Sequence, residues 1–128
     1  MDLIYMATPY TRYPGGRAAA FELACRSAAV FLSAGIPVFS PIAHSHPIAG
    51  WMSEERIHDH DLWVVINAPL IAACSSMIVV TAPGWKESRG VQHEIAVFER
   101  EGKPIVYWAP GDALPDHMKG YWPDEIDR

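Results

Sequence analysis

The 128-residue chain is poor in basic residues, in paired cysteines and in long apolar runs, and each shortage removes a class of function. Ten Lys and Arg against fifteen Asp and Glu leave a net charge of −5 and an isoelectric point near 5.6. Nonspecific nucleic-acid binding runs on clustered cations that neutralise phosphates, so this balance argues against it. A small phosphorylated ligand stays open, because it needs only a few donors in one pocket. Cys25 and Cys74 lack zinc-type spacing and lie in Ala-rich stretches, so both read as small buried hydrophobes in a reducing compartment. No run approaches the ~20 apolar residues of a membrane span, and the opening Met1-Asp2-Leu3-Ile4-Tyr5 has no basic leader. The expectation is a cytoplasmic protein with neither a membrane nor a nucleic-acid partner.

What is present describes one ordinary domain over residues 1–128. Half the chain is apolar and a fifth is charged. A chain of this length buries roughly two-thirds of its unfolded surface without staples. Leu3–Ala7 is a short apolar run stopped by Thr8-Pro9-Tyr10, a strand followed by a loop with Arg12, Pro14, Gly15 and Gly16. Arg17 to Ala34 is helical, with Phe21, Cys25, Ala28 and Leu32 as its apolar stripe and Gly35 as its left-handed stop. Residues 36–40 make a second strand closed by Pro41. Residues 42–61 are polar, crowded with His44, His46, His58 and His60, and without a clear period, so they read as a long functional loop.

Helical character returns over 62–74, with Pro69 expected to kink or divide it. Residues 75–81 are a third strand. Ser88 caps a helix running to about Glu101 on a Val91, Ile95 and Phe98 stripe, ended by Gly102. Residues 104–108 are the fourth strand, and the tail from Ala109 reads as irregular. The alternation predicts an α/β, Rossmann-like or flavodoxin-like three-layer sandwich with four parallel strands or five, and three crossover helices.

In such a sheet the ligand crevice lies outside the carboxyl ends of the strands. There the chain places Ala7–Gly16, Pro41–His46 and Ala82–Gly90, with Trp108, Tyr121 and Trp122 available to line a pocket. Ser88 at a helix start, followed by Gly90, makes an anion site from exposed N–H groups and a hydroxyl. Gly90 shares a helix face with Glu94, and its missing side chain leaves that carboxylate open to a ligand. Glu94 lies about 60° from the centre of the apolar stripe at ~100° per residue, where desolvation can tune an acid. The plainer reading makes Ser88 an N-cap and Glu94 a solvated helix residue.

Ile4-Tyr5-Met6-Ala7-Thr8-Pro9-Tyr10, His60-Asp61-Leu62, Ser88-x-Gly90-x-x-x-Glu94 and Gly102-Lys103-Pro104, in this order and spacing, resemble the nucleoside 2-deoxyribosyltransferase superfamily. The likeness is nearest to its 2′-deoxynucleoside 5′-monophosphate N-glycosidase branch. It implies Glu94 as the nucleophile at C1′, Tyr5 as the hydroxyl that orients it, and Asp61 as proton donor to the leaving base. Ser88 then stands where the monophosphate-cleaving branch has serine and the free-nucleoside transferases have aspartate. A serine at a helix start can donate to a 5′-phosphate that an aspartate would repel. Thr8 and Pro9 replace the glycine-rich turn of many relatives, which leaves Arg12 or Arg17 to supply phosphate charge. The resemblance also implies a homo-oligomer, a dimer or higher, and a nucleoside or nucleotide as the small-molecule partner. The chemistry it implies needs no metal and no organic cofactor.

Two rival readings remain. A metal-dependent hydrolase draws on His44-x-His46 and His58-Asp59-His60-Asp61, although neither matches an HExxH or a complete HxHxDH signature. A non-catalytic nucleotide sensor uses the same crevice with Glu94 merely touching the ribose.

Overall fold

The structure is a computed structural model, and it describes residues 2–118. Four strands are present among these residues: β1 (Leu3–Ala7), β2 (Val38–Phe39), β3 (Cys74–Val80) and β4 (Ile105–Trp108). They form one parallel sheet in the order β2-β1-β3-β4, with Tyr5 level with Phe39 on one side and Met77 on the other. The helices are α1 (Arg17–Ser33), α2 (Pro41–Ala49), α3 (Glu54–Ile57), α4 (His60–Ala73) and α5 (Arg89–Arg100), with a 3₁₀ turn at Asp116–Met118. This is the expected α/β sandwich of Rossmann or flavodoxin type.

Strand periodicity of two divides the core into two layers. Ile4, Met6, Ile78 and Val80 point to one face and pack with Phe31, Ile36 and Trp108; Tyr5, Ala7, Met77 and Val79 point to the other and pack with Ile71, Val91, Ile95 and Phe98. β1 and β3 lie between two neighbouring strands, and residues 4–7 and 77–80 are covered on both faces, which is why these stretches read as unbroken apolar runs. A fully buried side chain such as Phe31 contributes roughly 2–3 kcal/mol by area.

Several local expectations need correction. The stretch read as a histidine-rich loop contains α2 and α3. Ser40 caps α2 by accepting from the Ala43 N–H at 3.1 Å, and Pro41 takes the first helical position, where its missing N–H costs nothing. Among the described residues the α-helices therefore number five, not three. α4 runs through Pro69 without dividing: Val65, whose carbonyl loses its helical partner, is 70% exposed, so water can satisfy it. The buried face of α1 is Ala20, Ala24, Ser27, Ala28 and Phe31, one step round from the expected stripe. Alanines let the helix sit close to the sheet, while Leu32 is 54% exposed and Cys25 only half-buried. Cys74 is buried as expected. The segment after β4 is tied down, because the Trp108 indole donates to the Asp112 carbonyl at 3.3 Å and Met118 packs into the first core layer. Tyr121 and Trp122 lie outside the described residues.

Chain order turns back on itself between β1 and β3, so the crevice opens at their carboxyl ends. The loop after β3 closes against the loop after β1 at Gly84. A Cβ there would stand 2.3 Å from the Arg12 carbonyl oxygen, and the φ of +93° belongs to glycine.

Candidate functional site

A cavity of about 310 Å³ fills this crevice. The first residues of four helices border it: Arg17 of α1, Pro41 of α2, His60 of α4 and Arg89 of α5. Each helix start carries unpaired N–H groups and the positive end of the helix dipole. Arg17 and Arg89 add two fixed charges, and His46, His58 and His60 add imidazoles, whereas Glu94 is the only acid on the wall among the described residues. An acidic protein thus holds a positively biased cavity around a single carboxyl group.

Glu94 is only 9% exposed, on the flank of the face that carries Val91, Ile95 and Phe98. The Tyr5 hydroxyl, fully buried in β1, donates a hydrogen bond to Glu94 Oε2. Burial pushes the Glu94 carboxyl from 4.5 up to about 7, and the Tyr5 bond acts in the opposite direction by stabilising the anion. Burial, reinforced by the negative charge of Glu94, drives the Tyr5 phenol far above its ordinary range and keeps it a neutral donor. Phe98 packs against the Tyr5 ring with centroids 5.7 Å apart, fixing the direction of that hydroxyl. Gly90 borders the cavity one turn before Glu94, and a Cβ built there meets nothing within 4 Å. The bare backbone leaves room in front of the acid.

Ser88 is buried on the cavity wall, and its oxygen accepts the α5 cap bond from the Val91 N–H at 3.2 Å. Its own O–H remains available to donate. Thr8 is also a buried wall residue, and its hydroxyl oxygen has no hydrogen-bond partner among the described residues. His46 accepts or donates at Nδ1 with the Tyr10 hydroxyl at 2.6 Å and stacks on Phe21 at 4.5 Å. Burial raises the Tyr10 phenol, against a smaller opposing pull from Arg17.

Of the residues expected from sequence, Glu94, Tyr5, Ser88, Gly90, Thr8 and His46 are brought together. Four are not. Asp61 is exposed on the first turn of α4 and does not border the cavity. Arg12 is exposed outside it, and Arg17 takes the wall position instead. Pro9 is fully buried behind the wall, and His44 is exposed, its ring 5.8 Å from that of Phe39. Among the described residues no three His, Cys, Asp or Glu side chains gather as a metal site would require.

Sequence reasoning missed Trp63, Asn67 and Arg89 on the wall, and it read His60 as part of a motif and as a rival metal ligand without a role in the glycosidic chemistry. The Trp63 indole is pinned by donating to the Ile57 carbonyl at 2.9 Å, which leaves its ring as a flat apolar surface. The signal available was positional, since the first turn after each strand faces the crevice.

A family model described as a domain of unknown function, DUF1937, matches residues 2–110. No curated protein matches the sequence. The match runs from β1 through β4 and takes in every wall residue of the cavity, and this chain belongs to the DUF1937 family.

Proposed function

We propose that the protein cleaves or transfers at the N-glycosidic bond of a nucleoside 5′-monophosphate or nucleoside, with Glu94 as the nucleophile. One observation carries the reading: a carboxyl group, buried and held by the Tyr5 hydroxyl, faces a cavity that Arg17, Arg89 and the starts of four helices border and that no other acid lines among the described residues. The Glu94 oxygen attacks C1′, the bond to the base breaks, and its electron pair leaves with the base. The sugar C1′ passes through an oxocarbenium-like state that a carboxylate beneath it stabilises. Water, or a second base, then releases the sugar from Glu94.

The cationic wall suits a phosphate on the same sugar. Ser88 and Arg89 at the start of α5 lie one to two turns of helix from Glu94, and Arg17 faces the same space from α1. Trp63 offers a face for the base.

A binding-only reading has one observation in its favour. A carboxyl with a pKa of about 7 is half protonated at neutral pH, a state that donates to a sugar hydroxyl but does not attack carbon. Incubation with a panel of ribo- and 2′-deoxynucleosides and their 5′-monophosphates, read by chromatography for free base, separates the two. Base release that Glu94→Ala abolishes supports the proposal, and saturable binding with no release from any substrate overturns it.

A further inference from the structure

Resting on the glycosidic reading, the departing base needs a proton, and the structure moves that task off the expected aspartate. Asp61 is exposed and borders neither the main cavity nor the smaller recess between α4 and α5. Its neighbour Asp59 is committed as the α4 cap, accepting from the Leu62 N–H at 3.2 Å with Arg56 at 3.8 Å. Both ring nitrogens of His58 are engaged, with Arg17 at 2.9 Å and Glu54 at 3.1 Å. His46 is held by Tyr10 and Phe21.

His60 differs from all of these. It is half-buried at the first position of α4 and makes no hydrogen bond or ion pair among the described residues, and its ring meets that of His93 edge-on at 6.3 Å. It borders the main cavity and also a recess of about 50 Å³ between α4 and α5, and Glu94, Gly90, Trp63 and Asn67 are shared by both spaces. The imidazole therefore lines both of the spaces that the nucleophile lines.

We infer that His60 is the acid–base group for the leaving base. As C1′–N breaks and C1′–O(Glu94) forms, the imidazolium passes its proton to the base nitrogen or oxygen that receives the electron pair. The neutral imidazole then takes a proton from the water that attacks C1′, Glu94 leaves as carboxylate, and the imidazolium is restored.

The test compares leaving groups. Wild type, His60→Gln, Asp61→Asn and Glu94→Gln are assayed on the four common 2′-deoxynucleoside 5′-monophosphates. Two substrates whose leaving groups need no proton are run beside them, 7-methyl-2′-deoxyguanosine 5′-monophosphate and 4-nitrophenyl 2-deoxyribofuranoside 5-phosphate. Loss of a general acid costs about 10²–10⁴-fold on ordinary bases. His60→Gln is expected to show that loss there and less than about tenfold loss on the two activated substrates, with Asp61→Asn within a few-fold of wild type throughout. Equal losses on both substrate classes, full activity in His60→Gln, or the leaving-group pattern in Asp61→Asn each overturns the inference while leaving the glycosidic reading standing. A wild-type protein that releases no leaving group from these substrates or from any ribo- or 2′-deoxynucleoside or 5′-monophosphate overturns the glycosidic reading itself, and the inference falls with it.

Discussion

Replacing Glu94 by glutamine tests the electrostatics of the site without needing a substrate. The carboxyl moves from 4.5 in the unfolded chain to about 7 in the folded one because burial penalises the anion. A tenfold change in proton affinity is worth about 1.4 kcal/mol, so the full displacement amounts to about 3 kcal/mol. A group whose folded pKa is raised contributes stability below its unfolded value and loses it as pH climbs through the folded one. Wild-type stability should therefore decline between about pH 4.5 and pH 7 through this residue alone. Glutamine keeps the shape and still accepts from Tyr5, yet has nothing to ionise. The difference in unfolding free energy, Glu94→Gln minus wild type, should grow by about 3 kcal/mol between pH 4.5 and pH 8. In a domain of this size that corresponds to a relative gain in Tm on the order of 10 °C. Urea titrations at half-unit pH steps measure it, and any constant cost of the substitution cancels in the trend. A flat difference would show that Glu94 titrates alike in both states. A difference that shrinks with pH would mean that Arg17, Arg89 and the helix starts outweigh desolvation and hold the acid ionised.

Other substitutions probe neighbouring parts of the same geometry. Tyr5→Phe removes the bond that favours the anion, worth about 1.5–3 kcal/mol for a charged acceptor. The acidic limb of the rate profile for base release should then move up by roughly one to two pH units, and an unmoved limb refutes the orienting role. Ser88→Asp preserves the α5 cap but sets a carboxylate beside the cationic wall. KM for 5′-monophosphates should rise at least about tenfold more than KM for free nucleosides, and equal changes remove the phosphate contact. Gly84→Ala meets the Arg12 carbonyl at 2.3 Å in a left-handed conformation. It should cost on the order of 2 kcal/mol in denaturant titration, whereas a loss under about 0.5 kcal/mol would mean that the two loops are free to separate.

The sheet was legible because the apolar runs of β1 and β3 are too short for a helix and are closed soon after by Pro9 and Pro83. Glu94 was legible too, since the Val91, Ile95 and Phe98 stripe fixes the rotation of α5 and so places every residue on it. α1 offers no comparable anchor. Its alanines make Ala20–Ala24–Ser27–Phe31 and Phe21–Cys25–Ala28–Leu32 equally periodic, and choosing the stripe with the larger side chains turned the helix by one residue. The missing stripe residue is informative, because Phe21 is free to leave the core and support His46 at the cavity. α2 was hidden by its own start signal, since Ser40-Pro41 ends a strand and begins a helix with the same two residues.

The errors at the site have a common physical origin. Part of its wall is built from first turns of helices, where neighbouring residues point about 100° apart. A strand tolerates an uncertain boundary because the alternation continues through it, but at a helix start a shift of one position exchanges a wall residue for a solvent one. His60 borders the cavity and Asp61 does not. Arg17, the first residue of α1, borders the cavity, whereas Arg12 is exposed in the preceding loop, with its carbonyl beside Gly84. Residue type suggested acids and arginines in these segments. Position relative to the helix start decided which of them reach the cavity, and that ordering puts His60, rather than the neighbouring carboxylate, on its wall.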